Sequence, residues 1–328
     1  MFSKEFLTCL LCFILVKSAA GQVYLQKHPG NPIIPAHDGW SLDPSVLFDA
    51  QSGLYKMWYT AREGNHYTVY FATSQDGINW IDDPGNPVLI RGEGGAWDST
   101  HVRCGTVLFD GEMYRMYYMG STNGFDDKIG LATSTDGITW QKYAGNPIIM
   151  PSEPGSWDTE RVYHPTAFYD GQTFYIWYAG FDGKTMCTGL ATSIDGQTFQ
   201  KNAVNPVLDA GEPGNWDDFG VWPNSGILFR DDRFMLFYSA ANSTRPTFGE
   251  IGLATSFDGI NWMKMNQNPV LTYGPLGSWD QQGLGSGSVL FENGTYKLWF
   301  SGHTFQTREW HIGFAESVTP GLAGFALR

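Results

Sequence analysis

The chain has 328 residues, with 33 acidic against 20 basic side chains and a formal net charge of −13. So acidic a balance argues against nucleic acid and anionic membranes as partners. Aromatic residues reach 16%, charged residues only 16%, and there are 40 glycines, which suits many short aromatic strands joined by tight turns.

Residues 1–21 read as a secretory leader. Lys4 supplies the basic start, residues 6–16 form an eleven-residue apolar core, and Ala19-Ala20-Gly21 offers small residues for cleavage. That run is too short to span a bilayer. Residues 22–328 are therefore expected to be one secreted domain without a membrane span. Cys9 and Cys12 leave with the leader, and Cys104 and Cys187 read as buried free thiols. Asn242-Ser243-Thr244 and Asn293-Gly294-Thr295 are glycosylation sequons.

Beyond the leader the chain repeats itself. Asn-Pro pairs stand at Asn31, Asn86, Asn146, Asn205 and Asn268, spaced 55, 60, 59 and 63 residues apart. Each is followed by an apolar strand (Val46-Leu47-Phe48 in the first copy) and then by an aromatic one (Met57-Trp58-Tyr59). Asp-Gly pairs such as Asp110-Gly111 and Asp195-Gly196 close the runs as hairpins, with type I′ turns expected. Four short strands per repeat predict an all-β, five-bladed β-propeller. The fifth copy lacks its fourth strand, and Tyr24-Leu25-Gln26-Lys27 supplies the matching piece. Those residues are expected to pair with residues 312–317 and close the ring, removing open sheet edges.

The topology places the Asp-Gly turns at one end and the more individual loops at the other. Those loops are 61–68, 120–128, 180–187, 239–250 and 301–311, and function is expected on their face. The Trp-Asp pairs at Trp97, Trp157, Trp216 and Trp279 recur, so they read as scaffold, as do the Ser-x-Asp-Gly-x-x-Trp segments. At the start of strand one the copies differ. Asp43, Cys104, His164, Asn224 (or Ser225) and Ser286 align there, preceded by Leu42, Arg103, Tyr163, Pro223 and Gly285. Trp40, Trp222 and Trp310 stand close by and could stack on sugar rings.

The five copies, the Ser41-Leu42-Asp43-Pro44-Ser45-Val46 segment and the Gly-Leu-Ala-Thr-Ser-x-Asp-Gly repeats resemble the arabinanase–levansucrase–invertase superfamily, which includes glycoside hydrolase families 43, 32 and 130. The resemblance spans essentially the whole mature chain. It implies a carbohydrate site in the central funnel and a catalytic Asp from blade one, matching Asp43. Family 43 carries its general acid two residues before a Pro in blade three. Here that position is Tyr163, and the nearest acid is Glu160. The family's blade-two Asp is replaced by Gly105-Thr106. The Asp-Gly segments also resemble a sialidase Asp-box with one residue removed, but no cluster of three arginines is visible along the chain.

Glycoside hydrolysis needs two carboxyl groups about 5–10 Å apart. Asp43 is the first candidate; Glu160, then Asp218, are the candidates for its partner. Trp40, Arg103, Arg161, Tyr163, His164, Trp222 and Asn224 are the candidate substrate-binding residues. No cofactor is expected, although His164 could reach a channel water or a structural Ca²⁺. The expected activity is that of a secreted, monomeric glycoside hydrolase on oligo- or polysaccharide. A non-catalytic carbohydrate-binding propeller and an inverting glycoside phosphorylase are the alternatives.

Overall fold

The computed structural model describes residues 23–304 and 307–318. The leader read in residues 1–21 lies outside the described residues. Within them the chain is all-β, with twenty-one strands. The first, β1 (Leu25–Lys27), precedes the repeats. Repeat one holds β2 (Ser41–Asp49), β3 (Leu54–Glu63), β4 (His66–Ser74) and β5 (Trp80–Asp82). Repeat two holds β6 (His101–Phe109), β7 (Tyr114–Ser121), β8 (Lys128–Ser134) and β9 (Gln141–Lys142). Repeat three holds β10 (Arg161–Tyr169), β11 (Phe174–Phe181), β12 (Met186–Ser193) and β13 (Gln200–Lys201). In repeat four the first strand is split into β14 (Gly220–Trp222) and β15 (Ile227–Arg230), followed by β16 (Arg233–Asn242), β17 (Arg245–Ser256) and β18 (Met263–Lys264). Repeat five holds β19 (Gly283–Glu292), β20 (Thr295–Thr304) and β21 (Glu309–Ser317).

Within each repeat the strands pair antiparallel in chain order, and β1 pairs with β21, Leu25 opposite Ser317 and Lys27 opposite Ala315. Repeats one and two form separate four-stranded sheets. Single pairings, Met186–Gly220 and Gly249–Leu284, link the other three into a larger sheet. Among the described residues no sheet closes on itself.

The aromatic strands are buried because they face two neighbours at once. Apolar clusters join repeats one and two (Trp58, Val102), two and three (Tyr117, Ile176), three and four (Trp177, Phe234), and four and five (Phe237, Leu298). A further cluster joins the fifth to the first through Trp299, Phe314, Met57 and Tyr59. The indoles also bond across these seams. Trp58 Nε1 donates to the Gly137 carbonyl, Trp177 Nε1 to Gly259, and Trp299 Nε1 to Gly77, at 2.7, 2.8 and 2.7 Å. A buried N–H that found no acceptor would cost about 1–3 kcal/mol.

The Asp-Gly segments differ from the expected type I′ turns. Asp110 Oδ1 accepts the backbone N–H groups of Glu112 and Met113, and Asp76 Oδ1 those of Ile78 and Asn79. The side chain thus does the work of a turn carbonyl, and only the glycine adopts positive φ, +100° at Gly111 and +78° at Gly77. At the opposite end, two of the expected loops are strand. β3 and β4 are separated only by Gly64-Asn65, and β16 and β17 only by Ser243-Thr244.

Candidate functional site

The aligned positions at the start of strand one fall on an irregularity shared by the repeats. The register shifts between Leu42 and Ser45, Arg103 and Thr106, Tyr163 and Thr166, and Leu284 and Gly287. In repeat four the strand is interrupted outright between β14 and β15. A bulge leaves its extra residue outside the ladder and re-aims its side chain, a device common beside binding sites. Asp43 and His164 sit there at φ +53° and +51°, which for a side-chain-bearing residue costs of order 1–2 kcal/mol. Hydrogen bonds hold the conformation: Asp43 N–H donates to Ser301 Oγ at 3.0 Å, and His164 N–H to Met119 Sδ at 3.1 Å.

Asp43 is 2% exposed and fully engaged. Arg103 forks onto it, Nε to Oδ2 at 2.9 Å and Nη2 to Oδ1 at 3.0 Å. Thr60 Oγ1 donates to Oδ2 at 2.9 Å, and Ser286 Oγ donates to Oδ1. Burial opposes the Arg103 charge, but Asp43 and Asp127 more than offset that, so the guanidinium titrates above its ordinary range. Burial also raises the Asp127 carboxyl, despite the opposing pull of Arg103 and Arg161, to about 6. His164 is held well below the usual imidazole range, by burial first and then by Arg103 and Arg161. It is therefore neutral at physiological pH.

In front of Asp43 lies a cavity of about 600 Å³. Trp40, Arg103, Arg161, Tyr163, His164, Trp222 and Asn224 all line it, so the seven residues proposed from sequence for binding meet in one place. Arg308, Trp310, His303 and Ser286 complete much of the wall. Among the described residues, the lining side chains of Asn224 and His164 carry buried polar atoms, Oδ1 and Nδ1, without a protein hydrogen-bond partner. No Asp or Glu among the described residues lines this cavity. Asp43 stands one layer behind the wall, in contact with the lining residues Arg103 and Ser286.

The two residues proposed as its partner lie elsewhere. Glu160 is exposed, its backbone N–H bonded to the Phe181 carbonyl. Asp218 ties two loops together, accepting from Gly214 N–H at 2.7 Å and Ser243 N–H at 2.6 Å. Those backbone bonds, Gly214 first, hold its carboxyl below the usual range. Asp127 and Arg308 escaped the sequence argument. Both lie in loops, outside the repeat alignment that exposed the other positions, and only the tertiary fold brings Asp127 within electrostatic reach of Arg103 and Arg308 to the cavity wall. Cys104 and Cys187 are free, and burial pushes the Cys104 thiol well above its usual range. Among the described residues no group of three or more His, Cys, Asp or Glu is placed to hold a metal ion.

Comparison with known proteins gives a family match over residues 33–206, to the glycosyl hydrolases family 32 N-terminal domain. The chain is 31% identical over 266 residues to the uncharacterized protein MT1551 of Mycobacterium tuberculosis, covering 77% of this chain and 85% of that one. It is 24% identical over 378 aligned positions to an A type blood N-acetyl-α-D-galactosamine deacetylase of Flavonifractor plautii, covering 89% of this chain and 47% of that protein. This chain thus spans about half of the deacetylase. Among solved structures, a complex of BT0996 with RGII matches over 93% of this chain and 95% of its own, at 18% identity and a TM-score of 0.74. That likeness shows the fold.

Proposed function

Since the chain belongs to the glycosyl hydrolases family 32 N-terminal domain family, in the propeller glycosidase superfamily, we propose that it is a secreted protein that takes a glycan into the cavity before Asp43. The observation that carries this is the wall itself. Three indoles and a phenol offer flat apolar faces suited to sugar rings. Beside them, Asn224 Oδ1 and His164 Nδ1 are buried polar atoms that sugar hydroxyls would satisfy. The scaffold we propose is five blades closed by the N-terminal strand. It is supported by the seam between repeats five and one, and by the pairing of β1 with β21.

Binding without two-carboxylate hydrolysis is the reading favoured by the wall, because among the described residues no Asp or Glu lines the cavity and both oxygens of Asp43 are occupied. Hydrolysis is the second reading, and Asp127 favours it. Its carboxyl, raised to about 6, feels the same Arg103 charge as Asp43. A protonatable acid near a buried carboxylate is the pairing that general acid catalysis uses. Calorimetric titration with neutral and acidic oligosaccharides, beside a screen of chromogenic arabinosides, xylosides, galactosides and mannosides and of fructans, separates the two. Saturable binding with no turnover supports the first. Turnover that falls at least about a hundredfold in both Asp43→Asn and Asp127→Asn supports the second. A chain that neither binds nor cleaves any glycan refutes both.

A further inference from the structure

We infer that the glycan accepted by this cavity is an acidic saccharide, carrying a carboxylate of the uronate class. The inference rests on the proposal that the cavity is a glycan site, and it concerns which glycans enter. Its ground is the distribution of charge. Acidic residues outnumber basic ones 33 to 20 in the chain, yet the cavity wall carries Arg103, Arg161 and Arg308 and, among the described residues, no carboxylate. These arginines are distant in sequence and come from β6, β10 and the turn before β21.

Of the three, only Arg103 takes part in an ion pair among the described residues, and that pair is with Asp43. It engages Nε–H and one Nη2–H. A guanidinium has five N–H donors, so three remain. The Arg161 guanidinium lies over the rings of Tyr163 and Phe181, 5.2 and 4.9 Å from their centroids, which fixes its plane. Asp127 is the other acidic group acting on Arg103 and Arg161, and it leaves an excess of positive charge. Cations gathered in a partly enclosed site without matching anions are costly, and a ligand carboxylate supplies the missing charge as a fork-to-fork partner. The buried Asn224 Oδ1 and the indoles then receive the hydroxyls and ring faces of the same sugar.

The test is calorimetric titration of the purified full-length protein with a galacturonate oligosaccharide, with the same oligosaccharide after reduction of its carboxyl groups, and with inorganic phosphate. The acidic form is expected to bind at least about tenfold more tightly than the reduced form, since charge-assisted hydrogen bonds contribute about 1.5–3 kcal/mol. The preference is expected to shrink as NaCl is raised. Arg161→Gln and Arg308→Gln are each expected to remove most of the preference, read as the ratio of the affinities for the acidic and the reduced sugar. Arg308 is exposed, so its variant tests the charge without disturbing packing, and Arg161→Lys is expected to restore part of the loss. Equal affinity for the acidic and reduced sugars overturns the inference and leaves the glycan site standing. Failure of both sugars to bind overturns the uronate assignment, and the glycan site itself falls only if the wider set of oligosaccharides also fails to bind. Phosphate that displaces the acidic sugar at comparable concentration assigns the cations to an inorganic anion and overturns the uronate assignment.

Discussion

At the scale of single residues, Asp43 and Asp127 are opposite solutions to burying a carboxyl. Asp43 has a forked arginine and two hydroxyls. Asp127 feels Arg103 and Arg161 only at longer range, and burial raises its pKa from 3.8 to about 6. A carboxyl whose folded pKa exceeds its unfolded value contributes stability that is present below about 3.8 and lost as pH rises through about 6. At pH 7.5 the ionised group therefore costs the fold on the order of 2–3 kcal/mol. Asp127→Asn is expected to raise the stability measured by urea unfolding at pH 7.5 and to leave it nearly unchanged at pH 3, below both pKa values. A gain of equal size at both pH values would show that the effect is not ionisation. Asp43 was legible in the sequence because it stands at a repeated position where the other copies carry no acid. Its arginine was legible for the same reason, but their bidentate contact depends on how two neighbouring bulges face each other.

At the scale of the element, the bulge at the start of strand one is what makes the site. Its tightness is clearest in repeat two, where Gly105 occupies the place of Pro44 and Pro165. A Cβ built on Gly105 would lie 2.3 Å from the Tyr117 carbonyl oxygen and 2.5 Å from Pro165 Cγ, so the backbone itself would have to move. Gly105→Ala is expected to cost about 1–3 kcal/mol and to weaken glycan binding through displacement of Arg103 two residues away. Gly94→Ala, in open space at ordinary φ, is the matched control. Equal melting temperatures for the two variants would refute the crowding. Strands were legible here because apolar and aromatic runs closed by Asp-Gly are a local signal. The ends of strands two and three were less so. Residues 61–68 and 239–250 are polar and varied, yet they continue as hairpins (β3 into β4, β16 into β17), because cross-strand pairing outweighs weak local preference.

At the scale of the whole molecule, the question is whether the two ends of the chain hold each other. Each of three internal repeats carries a lysine on its fourth strand that reaches the buried Asp of its Trp-Asp pair: Lys142 to Asp98 at 2.5 Å, Lys201 to Asp158 at 2.6 Å, and Lys264 to Asp217 at 2.6 Å. In repeat five that aspartate is Asp280, 2% exposed at its side chain, and its lysine is Lys27, from the other end of the chain. Asn31 repeats the substitution. Its side chain bonds both the N–H and the carbonyl of Phe314, as Asn86 does with Phe71 inside repeat one. Lys27→Met keeps the apolar stem and strands the Asp280 charge, which is expected to cost about 3–5 kcal/mol, the same range as Lys142→Met. In an open array a terminal strand frays at little expense to the rest. In a closed ring its loss loosens the seam that Trp299 and Gly77 share, and the whole domain should melt earlier in one transition. Calorimetry on the two variants decides between them. A Lys27→Met protein whose main transition matches the parent, while Lys142→Met falls, would mean that the N-terminal strand is an appendage and the ring is open.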